Sequence, residues 1–314
     1  MKNKKSKNKR IILIVILILS GVETFAQYDP MFTQYMNNEM YINPAYTGSR
    51  ESVAATLLYR NQWVGLEGAP KTETFSIHTP IRNQKIGIGF NLMNEEIGVT
   101  HKLSFYGNYA YRMRLGEGHF SLGLQAGIIN YQERFLEIKT SDAGDKKFSA
   151  NTPNLILPNA GFGMYYYQEK YYVGISIPRL IKNNVDVSQS NMVTNTANSK
   201  NWHYFLTGAY VFNLSEYFKL KPSMMVKAVS GAPVEFDINA NLLLKDFWWI
   251  GAGYRSGDAI TFLTSFQLTR QLRFGYSFDY TTSALHNYSK GTHEITLGYD
   301  FSFDKKRVIT PRLF

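Results

Sequence analysis

The sequence predicts an all-β fold, a transmembrane outer-membrane β-barrel of about 14 antiparallel strands. Apolar and polar residues alternate with a period of two over stretches of about ten residues, longer than the average globular strand of about 5–6 residues. The polar face of these stretches is rich in Gly, and Tyr and Trp collect where the stretches end, as in an interfacial girdle. Together these features favour a membrane barrel over a soluble β-sandwich with one wet face.

One segment near the C-terminus shows the alternation in its simplest form. In "EITLGYDFSF", Ile295, Leu297 and Tyr299 point to one face, and Thr296 and Gly298 point to the other. The spacing of an amphipathic helix does not fit this pattern. We therefore expect the apolar face to contact lipid and the polar face to line the lumen.

An even number of strands places both ends of the barrel on the periplasmic side. Connections after even-numbered strands are short, and most of those after odd-numbered strands are long. Short periplasmic turns and long outer loops are the usual asymmetry of such barrels. The predicted strands are residues 52–60, 72–79, 85–93, 102–114, 119–131, 158–167, 171–178, 202–212, 218–229, 234–244, 247–254, 260–268, 271–280 and 292–303. The predicted long outer loops are residues 61–71, 94–101, 132–157, 179–201 and 281–291.

The N-terminal region predicts an export signal. Six basic residues among the first ten precede an unbroken apolar run of nine, and "TFA" supplies small residues for a cleavage site after Ala26. Nine apolar residues are too few to cross a bilayer, which takes about 20. Residues 1–26 are therefore predicted to be a cleaved signal peptide, with a short membrane anchor as the alternative.

Composition excludes several classes of function. The chain has no Cys, which excludes disulfides, thiol catalysis, thiolate metal sites and a lipoprotein anchor. The formal net charge is +10, and the signal region contributes +5 of it (six basic residues and one acid), which leaves 10 − 5 = +5. This modest excess is spread along the chain, without the basic stripe of a nucleic-acid-binding protein.

No motif predicts catalysis or cofactor binding. The six His are scattered over strands and loops, and the chain lacks a G-x-S-x-G elbow and a phosphate-binding loop. "GAGYRSG" has the wrong glycine spacing for a dinucleotide site, and "SDAGDKK" has too few oxygen ligands for a calcium loop. We therefore predict no enzyme activity, no cofactor and no metal site, with a barrel hydrolase left open as an alternative.

Charged residues on the polar face predict a network of ion pairs in the lumen. Lys219, Lys221 and Lys227 lie on one predicted strand, and Glu235 and Asp237 lie on the next. Opposite charges on adjacent strands can pair across the sheet. A structural network is favoured here over a substrate path. The other charged residues assigned to the lumen are Arg112, Arg114, Arg273, Asp279, Glu294 and Asp300.

The stretch after the predicted signal, "YDPMFTQYMNNEMYINPAYTGSR", resembles the N-terminal hallmark of the PorP/SprF family of type IX secretion system membrane proteins. "YRNQWVGLEGAPKTETFSIHTPI" resembles the next block of the family, and "HEITLGYDFSF" with "PRLF" resembles its ending. The stretch departs from the family at Asn38 and Glu39, where apolar residues are more common. The matching residues are Asp29, Pro30, Gln34, Tyr35, Asn43, Pro44, Ala45, Tyr46 and Gly48, followed by Arg60, Gln62, Trp63, Pro70, Thr72, Ser76, His78 and Pro80.

The resemblance implies a protein of the outer membrane of a Gram-negative bacterium that acts in type IX secretion. Members of the family are thought to help deliver or hold a large secreted or adhesin protein at the cell surface, and some are associated with gliding motility. The implied partners are such a secreted protein, type IX secretion components and outer-membrane lipid, and no catalytic residues come with the family. A passive or fatty-acid-type transporter is the alternative function, because it also fits fourteen strands.

Residues 27–50 are expected to form a plug or a contact arm. Asp29-Pro30 and Asn43-Pro44 impose extended or turn geometry, and the Tyr and Met residues add apolar surface. With both termini periplasmic, this surface should face the secretion machinery or fill the lumen from below, and an ordered lead-in is the alternative. The chain is thus predicted to contain a signal peptide (1–26), an N-terminal plug or periplasmic contact segment (27–50), a transmembrane β-barrel (51–303) and a C-terminal periplasmic tail (304–314).

The two longest predicted outer loops, residues 132–157 and 179–201, are expected to contact the secreted partner. They are rich in Asn, Ser and Thr. The apolar residues proposed as anchors within them are Phe135, Phe148, Leu155 and Met192.

Overall fold

Fourteen antiparallel strands close into a barrel in the structure, which is a computed structural model. The described residues are 30–50, 52–82, 84–138, 150–186, 192–198 and 202–301, so the predicted signal peptide, Asp29 and the tail lie outside them. The strands are β1 (Val53–Asn61), β2 (Lys71–Ile81), β3 (Ile86–Ile97), β4 (Thr100–Leu115), β5 (Gly118–Glu133), β6 (Leu155–Tyr167), β7 (Tyr171–Ile177), β8 (Lys182–Asp186), β9 (Met192–Thr196), β10 (Tyr204–Tyr210), β11 (Phe212–Asn213), β12 (Phe218–Ala228), β13 (Glu235–Leu244), β14 (Trp248–Arg255), β15 (Ala259–Gln267), β16 (Leu272–Thr281) and β17 (Thr292–Phe301).

Neighbours in sequence are neighbours in the ring. β8 and β9 pair only with each other, and β11 follows β10 along the edge of β12, so the remaining fourteen strands form the wall. The first and last strands pair with Leu57 opposite Leu297, and β10 pairs with β12 with Leu206 opposite Val226. The predicted all-β barrel of fourteen strands is confirmed.

The two faces of the wall differ as the alternation predicts. On β5, Leu124 is 57% exposed, whereas the next residue, Gln125, is 6% exposed. On β17, Ile295 and Leu297 are exposed on the outside, and Thr296 is buried on the inside. The apolar outer face suits a bilayer and the polar inner face suits a lumen.

The two ends of the barrel carry different connections. At one end, five of the six connections have two to four residues, and the sixth, residues 211–217, contains β11. Both Val53 and Phe301 lie at this end, which we call the short-turn end. The other, the long-loop end, carries the connections at residues 134–154 and 178–203. In outer-membrane barrels the short turns are periplasmic and the long loops extracellular, and this fixes the orientation used below.

Two stretches near the long-loop end differ from the prediction. β3 and β4 continue to Ile97 and Thr100, so the loop predicted at residues 94–101 is a two-residue turn. An ion pair between Glu95 and Lys102, at 3.3 Å, joins these strand ends. Part of the loop predicted at residues 179–201 forms the β8–β9 hairpin. Neither stretch alternates apolar and polar residues, and alternation was the signal on which the prediction relied.

Within the described residues, no helix is long and apolar enough to cross a membrane. The helical turns of residues 30–50 are only three or four residues long. These residues lie inside the barrel, and they form the site described next.

Candidate functional site: a segment inside the barrel

Residues 30–50, here called the luminal segment, pack against the inner wall. Phe32 and Tyr35 are at most 1% exposed. The half-buried members are Pro30, Asn37, Tyr41 and Ser49, and all others are buried. The segment contains three short helical turns, Tyr35–Asn37, Glu39–Ile42 and Pro44–Tyr46.

The Asn-Pro-Ala-Tyr motif closes the third of these turns and attaches it to the wall. Pro44 occupies the first helical position, where its missing N–H is not needed. The Asn43 side-chain oxygen accepts the Ala45 N–H at 2.9 Å. The Asn43 side-chain amide donates to the carbonyl of Met164 on β6, also at 2.9 Å. One residue therefore orders the turn and docks it.

The luminal segment runs through the lumen from one end to the other. The Thr33 hydroxyl contacts Asp279, near the long-loop end of β16. Arg50 is paired at 2.9 Å with Asp300, the penultimate residue of β17 at the short-turn end. The chain thus descends from the extracellular side at Thr33 to the periplasmic side at Arg50. This direction differs from a segment that enters the lumen from below.

A buried charge cluster surrounds the upper part of the segment. Arg60 is paired with Asp279 and Glu294, each at 2.9 Å. Arg255 is paired with Asp237 at 2.8 Å and with Asp279 at 3.2 Å. All five side chains are at most 3% exposed. Ions taken out of water are tolerated only where charges and hydrogen bonds are satisfied, so the cluster depends on each member.

Thr33 and Gln34 complete this charge cluster. The Thr33 hydroxyl donates to Asp279 at 2.7 Å and accepts from Arg60 at 3.0 Å. The backbone N–H groups of Thr33 and Gln34 donate to the Glu294 carboxylate at 3.0 and 2.7 Å. The carboxylates therefore bind the main chain of the segment as well as the arginines. Hydrogen bonds to charged groups are the stronger kind.

The lower part of the segment is held at Gly48. Its N–H donates to the Nδ1 atom of His78 at 2.9 Å, and its carbonyl accepts from the guanidinium of Arg112. Gly48 has a φ of +71°, a left-handed conformation that favours glycine. A side chain there would also collide with Gly87 of β3. The Gly48 position thus combines a backbone requirement with close approach to the wall.

Glycines of the inner wall leave room for the luminal segment to approach the strands closely. A Cβ atom on Gly123 would lie within 3 Å of the backbone of Ala45, and one on Gly163 would meet the Asn43 side chain equally closely. Further contacts of this kind join Gly87 to Thr47, Gly89 to Met40, Gly174 to Asn43 and Gly275 to Gln34. The Gly-rich polar face seen in the sequence therefore provides room for the segment.

Apolar side chains of the segment pack into two clusters with wall residues. The first contains Met31, Phe32, Tyr35, Met36 and Ile42 together with Leu58, Phe205, Met225 and Leu263. The second contains Met40, Ala45 and Tyr46 together with Tyr165, Tyr172 and Ala209. Burying this apolar surface favours the docked state at about 25 cal/mol per Å².

The residues singled out from the sequence lie in two regions: the luminal segment with the wall beside it, and the loop between β1 and β2. Gln34, Tyr35, Asn43, Pro44, Tyr46 and Gly48 lie in the luminal segment, with Pro30 at its upper end, and Arg60 and His78 contact it from the wall. Gln62, Trp63 and Pro70 lie in the loop between β1 and β2, where the Gln62 N–H donates to the Pro70 carbonyl at 2.9 Å. The Trp63 N–H donates to the Thr292 hydroxyl at 3.1 Å.

The departures from the family pattern are both buried. Asn38 donates to the Thr74 hydroxyl of β2 at 3.1 Å. Glu39 is 2% exposed and lies near Tyr172 and Lys221. Polar residues at these two positions therefore contact polar groups of the inner wall.

The predicted lumen network is correct in outline and differs in its pairs. Lys227 does approach Glu235, at 3.9 Å, but Asp237 pairs with Arg255 and Lys219 pairs with Asp246. Arg114, assigned to the lumen, is exposed near the short-turn end of β4.

Thr33, Arg50 and Arg255 were not anticipated from the sequence. Only for Arg255 did a signal exist: it follows Gly251 and Gly253 on the polar face of β14. Within the part of the chain that the structure describes, no group of three or more His, Cys, Asp or Glu side chains could hold a metal ion.

Solved structures and a protein family are similar to this chain. The structure is similar to the CymD monoaromatic hydrocarbon channel (TM-score 0.49, 10% identity, 90% of this chain and 96% of that chain covered). It is also similar to a Pseudomonas aeruginosa FadL homologue (TM-score 0.47, 10% identity, 85% and 94% covered). No curated protein matches the sequence.

The family description "Type IX secretion system membrane protein PorP/SprF" matches residues 24–299. The closed fourteen-strand barrel with an apolar outer face is the architecture expected of a protein in the outer membrane. The chain belongs to the PorP/SprF family of type IX secretion system membrane proteins and is an outer-membrane β-barrel.

Proposed function

We propose that the protein helps to deliver or anchor a large secreted or adhesin protein at the cell surface, as a non-conducting partner of the type IX secretion system. The observation that carries this proposal is the filled lumen. The luminal segment passes from Thr33 near the extracellular end to Arg50 at the periplasmic end. It contacts strands on all sides of the wall, from β2, β3 and β7 to β12, β15 and β17. A barrel filled in this way is suited to holding a partner at its ends.

The filled lumen also favours this proposal over the passive transporter. A transporter of this type needs a path for its substrate, whereas the luminal segment packs inside the barrel here. The charge cluster closes the extracellular half, and Tyr46 packs edge-on against Tyr165 in the periplasmic half, with ring centroids 5.6 Å apart.

The long-loop end is the proposed contact surface for the secreted partner. The β8–β9 hairpin and the ends of β5 and β6 share one apolar cluster. Its partly buried members, Tyr131, Leu155, Val185 and Val193, pack against the buried Tyr106, Ile129 and Leu157. Leu136, beside Phe135, is 63% exposed. The described parts of the two long loops therefore lie against one shared cluster. Phe148 lies outside the described residues.

Loop deletion combined with co-purification tests the proposal. In one variant, residues 182–196 are replaced by a short Gly-Ser linker, and in the control a two-residue insertion enters the turn at residues 82–85, at the opposite end. The barrel is isolated from native outer membranes, and co-purifying proteins are identified. We expect one large secreted protein with the native chain and the control, and its loss with the loop variant. Equal recovery from all three would contradict a contact at the long loops.

A further inference from the structure

A small cavity lies between the luminal segment and the wall, in the half of the barrel nearer the periplasm. Asn37 borders it on the segment side, and Lys221, Asn241, Trp249 and Arg273 border it on the wall side. The cavity has a volume of about 30 Å³, room for about two water molecules or one small polyatomic group. None of its lining residues is acidic.

Two cations converge on this cavity. The Lys221 ammonium lies over the ring of Trp249, 4.6 Å from its centroid, and the residue is 7% exposed. Arg273 is half-buried and lies near the periplasmic end of β16. Among the described residues, no carboxylate lies within 4 Å of the Arg273 guanidinium. A cavity with this lining is electropositive.

Among the described residues, Arg273 has no carboxylate of its own. The charged groups that interact here are Arg50, Lys221 and Arg273, against Glu39 and Asp300. Asp300 is already bound by Arg50, through hydrogen bonds of 2.9 and 3.0 Å to its two oxygens. Among the described residues, Asp300 is the carboxylate that acts on Arg273, so Arg273 shares this carboxylate with Arg50. A partly buried charge of this kind favours an anion beside it.

A neutral hydrogen-bond donor faces the same space. Asn241 is 5% exposed, and its side-chain NH₂ group has no acceptor among the described residues. Buried donors are normally satisfied. The Asn241 oxygen lies against Gly251 of the neighbouring strand, so its acceptor end is placed toward the wall. The unsatisfied atom is therefore the donor.

We propose that this cavity binds one small oxyanion group, a carboxylate or a phosphate, from the periplasmic side. Arg273 supplies a planar fork of N–H donors, Lys221 a second cation and Asn241 a neutral donor. The site is independent of the long-loop surface proposed for the secreted partner, because it lies at the other end of the barrel.

Isothermal titration of the purified full-length barrel in detergent tests this site. Potassium phosphate and potassium acetate are titrated separately against a potassium chloride background of matched ionic strength. We expect saturable binding of at least one of them, weakened at least tenfold in Arg273→Gln and in Lys221→Gln. The control is Lys219→Gln, on the same strand as Lys221, whose side chain pairs with Asp246 at 2.6 Å outside the cavity. It should bind like the native barrel.

The outcomes are distinguishable. Phosphate binding alone assigns a phosphate site, and binding of both anions assigns a general oxyanion site. Arg273→Lys keeps the charge and should recover part of the affinity that Arg273→Gln loses. The gel mobility of unheated samples checks that each variant is folded, so that weaker binding reports a lost ligand contact. Absence of saturable binding, or equal weakening in Lys219→Gln, would overturn the proposal.

Discussion

Arg60 and Glu294 form an ion pair of 2.9 Å in which both side chains are at most 1% exposed, and the same carboxylate binds the backbone N–H groups of Thr33 and Gln34. One residue pair therefore joins the first strand, the last strand and the luminal segment. Its loss affects the closure of the barrel and the seating of the segment together.

Glu294→Gln is expected to destabilise the barrel by about 3–5 kcal/mol, because it leaves Arg60 buried without one of its two counter-charges. Urea unfolding followed by Trp fluorescence measures the change. The control is Glu137→Gln, whose carboxylate pairs with Arg134 at 3.6 Å on the surface and should change stability by less than about 1 kcal/mol. Similar decreases in the free energy of unfolding in the two variants would argue against a special role for the buried pair.

Gly123→Val is expected to dislodge the lower part of the luminal segment, because a side chain there collides with the Ala45 backbone. Overpacking of this kind costs about 1–3 kcal/mol. Trypsin cleavage after Arg50, the single basic residue of the segment, reports its release. Gly107→Val is the matched control, since a Cβ at Gly107 has its nearest neighbour 3.9 Å away. If Arg50 stayed protected from trypsin in both variants, the position of the luminal segment would not depend on Gly123.

Leu297→Arg should impair membrane assembly, because Leu297 is 40% exposed on the lipid face and an Arg at the bilayer midplane costs about 2–4 kcal/mol. Gly298→Arg, one residue on, places its charge toward the lumen and should affect insertion much less. The amount of heat-modifiable barrel in outer-membrane fractions measures both variants. Equal amounts would mean that the assignment of the two faces is wrong.

The mature N-terminus is expected on the extracellular side, because the luminal segment starts at the long-loop end. After cleavage behind Ala26, three residues precede Pro30 and reach about 10 Å at most, whereas the apolar band is about 25 Å tall. Because the chain has no Cys, Gln27→Cys can be labelled in intact cells with a membrane-impermeant maleimide.

Two further cysteine variants calibrate this labelling experiment. Tyr288→Cys lies at the long-loop end, where the native residue is 71% exposed, and should react in intact cells. Lys85→Cys lies in a turn at the short-turn end and should react only after permeabilisation. If Gln27→Cys reacts only after permeabilisation, like Lys85→Cys, the N-terminus lies in the periplasm and the expected extracellular position is wrong.

Deletion of residues 29–46 should leave a barrel that inserts, because β1 begins at Val53. We expect this barrel to conduct ions in planar bilayers and to lose surface display of its secreted partner. The deletion of residues 182–196 should also lose display but stay non-conducting, since it leaves the lumen filled. Full display of the partner by the barrel lacking residues 29–46 would mean that the luminal segment is only a lead-in to β1. Loss of that barrel from the outer membrane would mean that the segment is needed for folding.

The sequence by itself determined the wall of the barrel. Alternation along β5 and β17 distinguishes lipid-facing Leu124 and Leu297 from lumen-facing Gln125 and Thr296, because successive side chains of a strand point to opposite faces. This information is local to each strand, so it can be read without the fold. Where strands extend beyond the apolar band, as at Glu95 and Lys102, no alternation was present to be read.

Only the tertiary structure decided what the lumen contains and how the segment is held there. Thr33 meets Asp279 and Glu294 across 246 and 261 residues of sequence, because closure of the ring pairs β17 with β1 and places β16 next to β17. Alternation assigns Gly123 and Gly107 to opposite faces, but it does not reveal that Gly123 faces the Ala45 backbone. Local periodicity specifies a face, whereas a contact partner depends on strand order and register around the whole barrel.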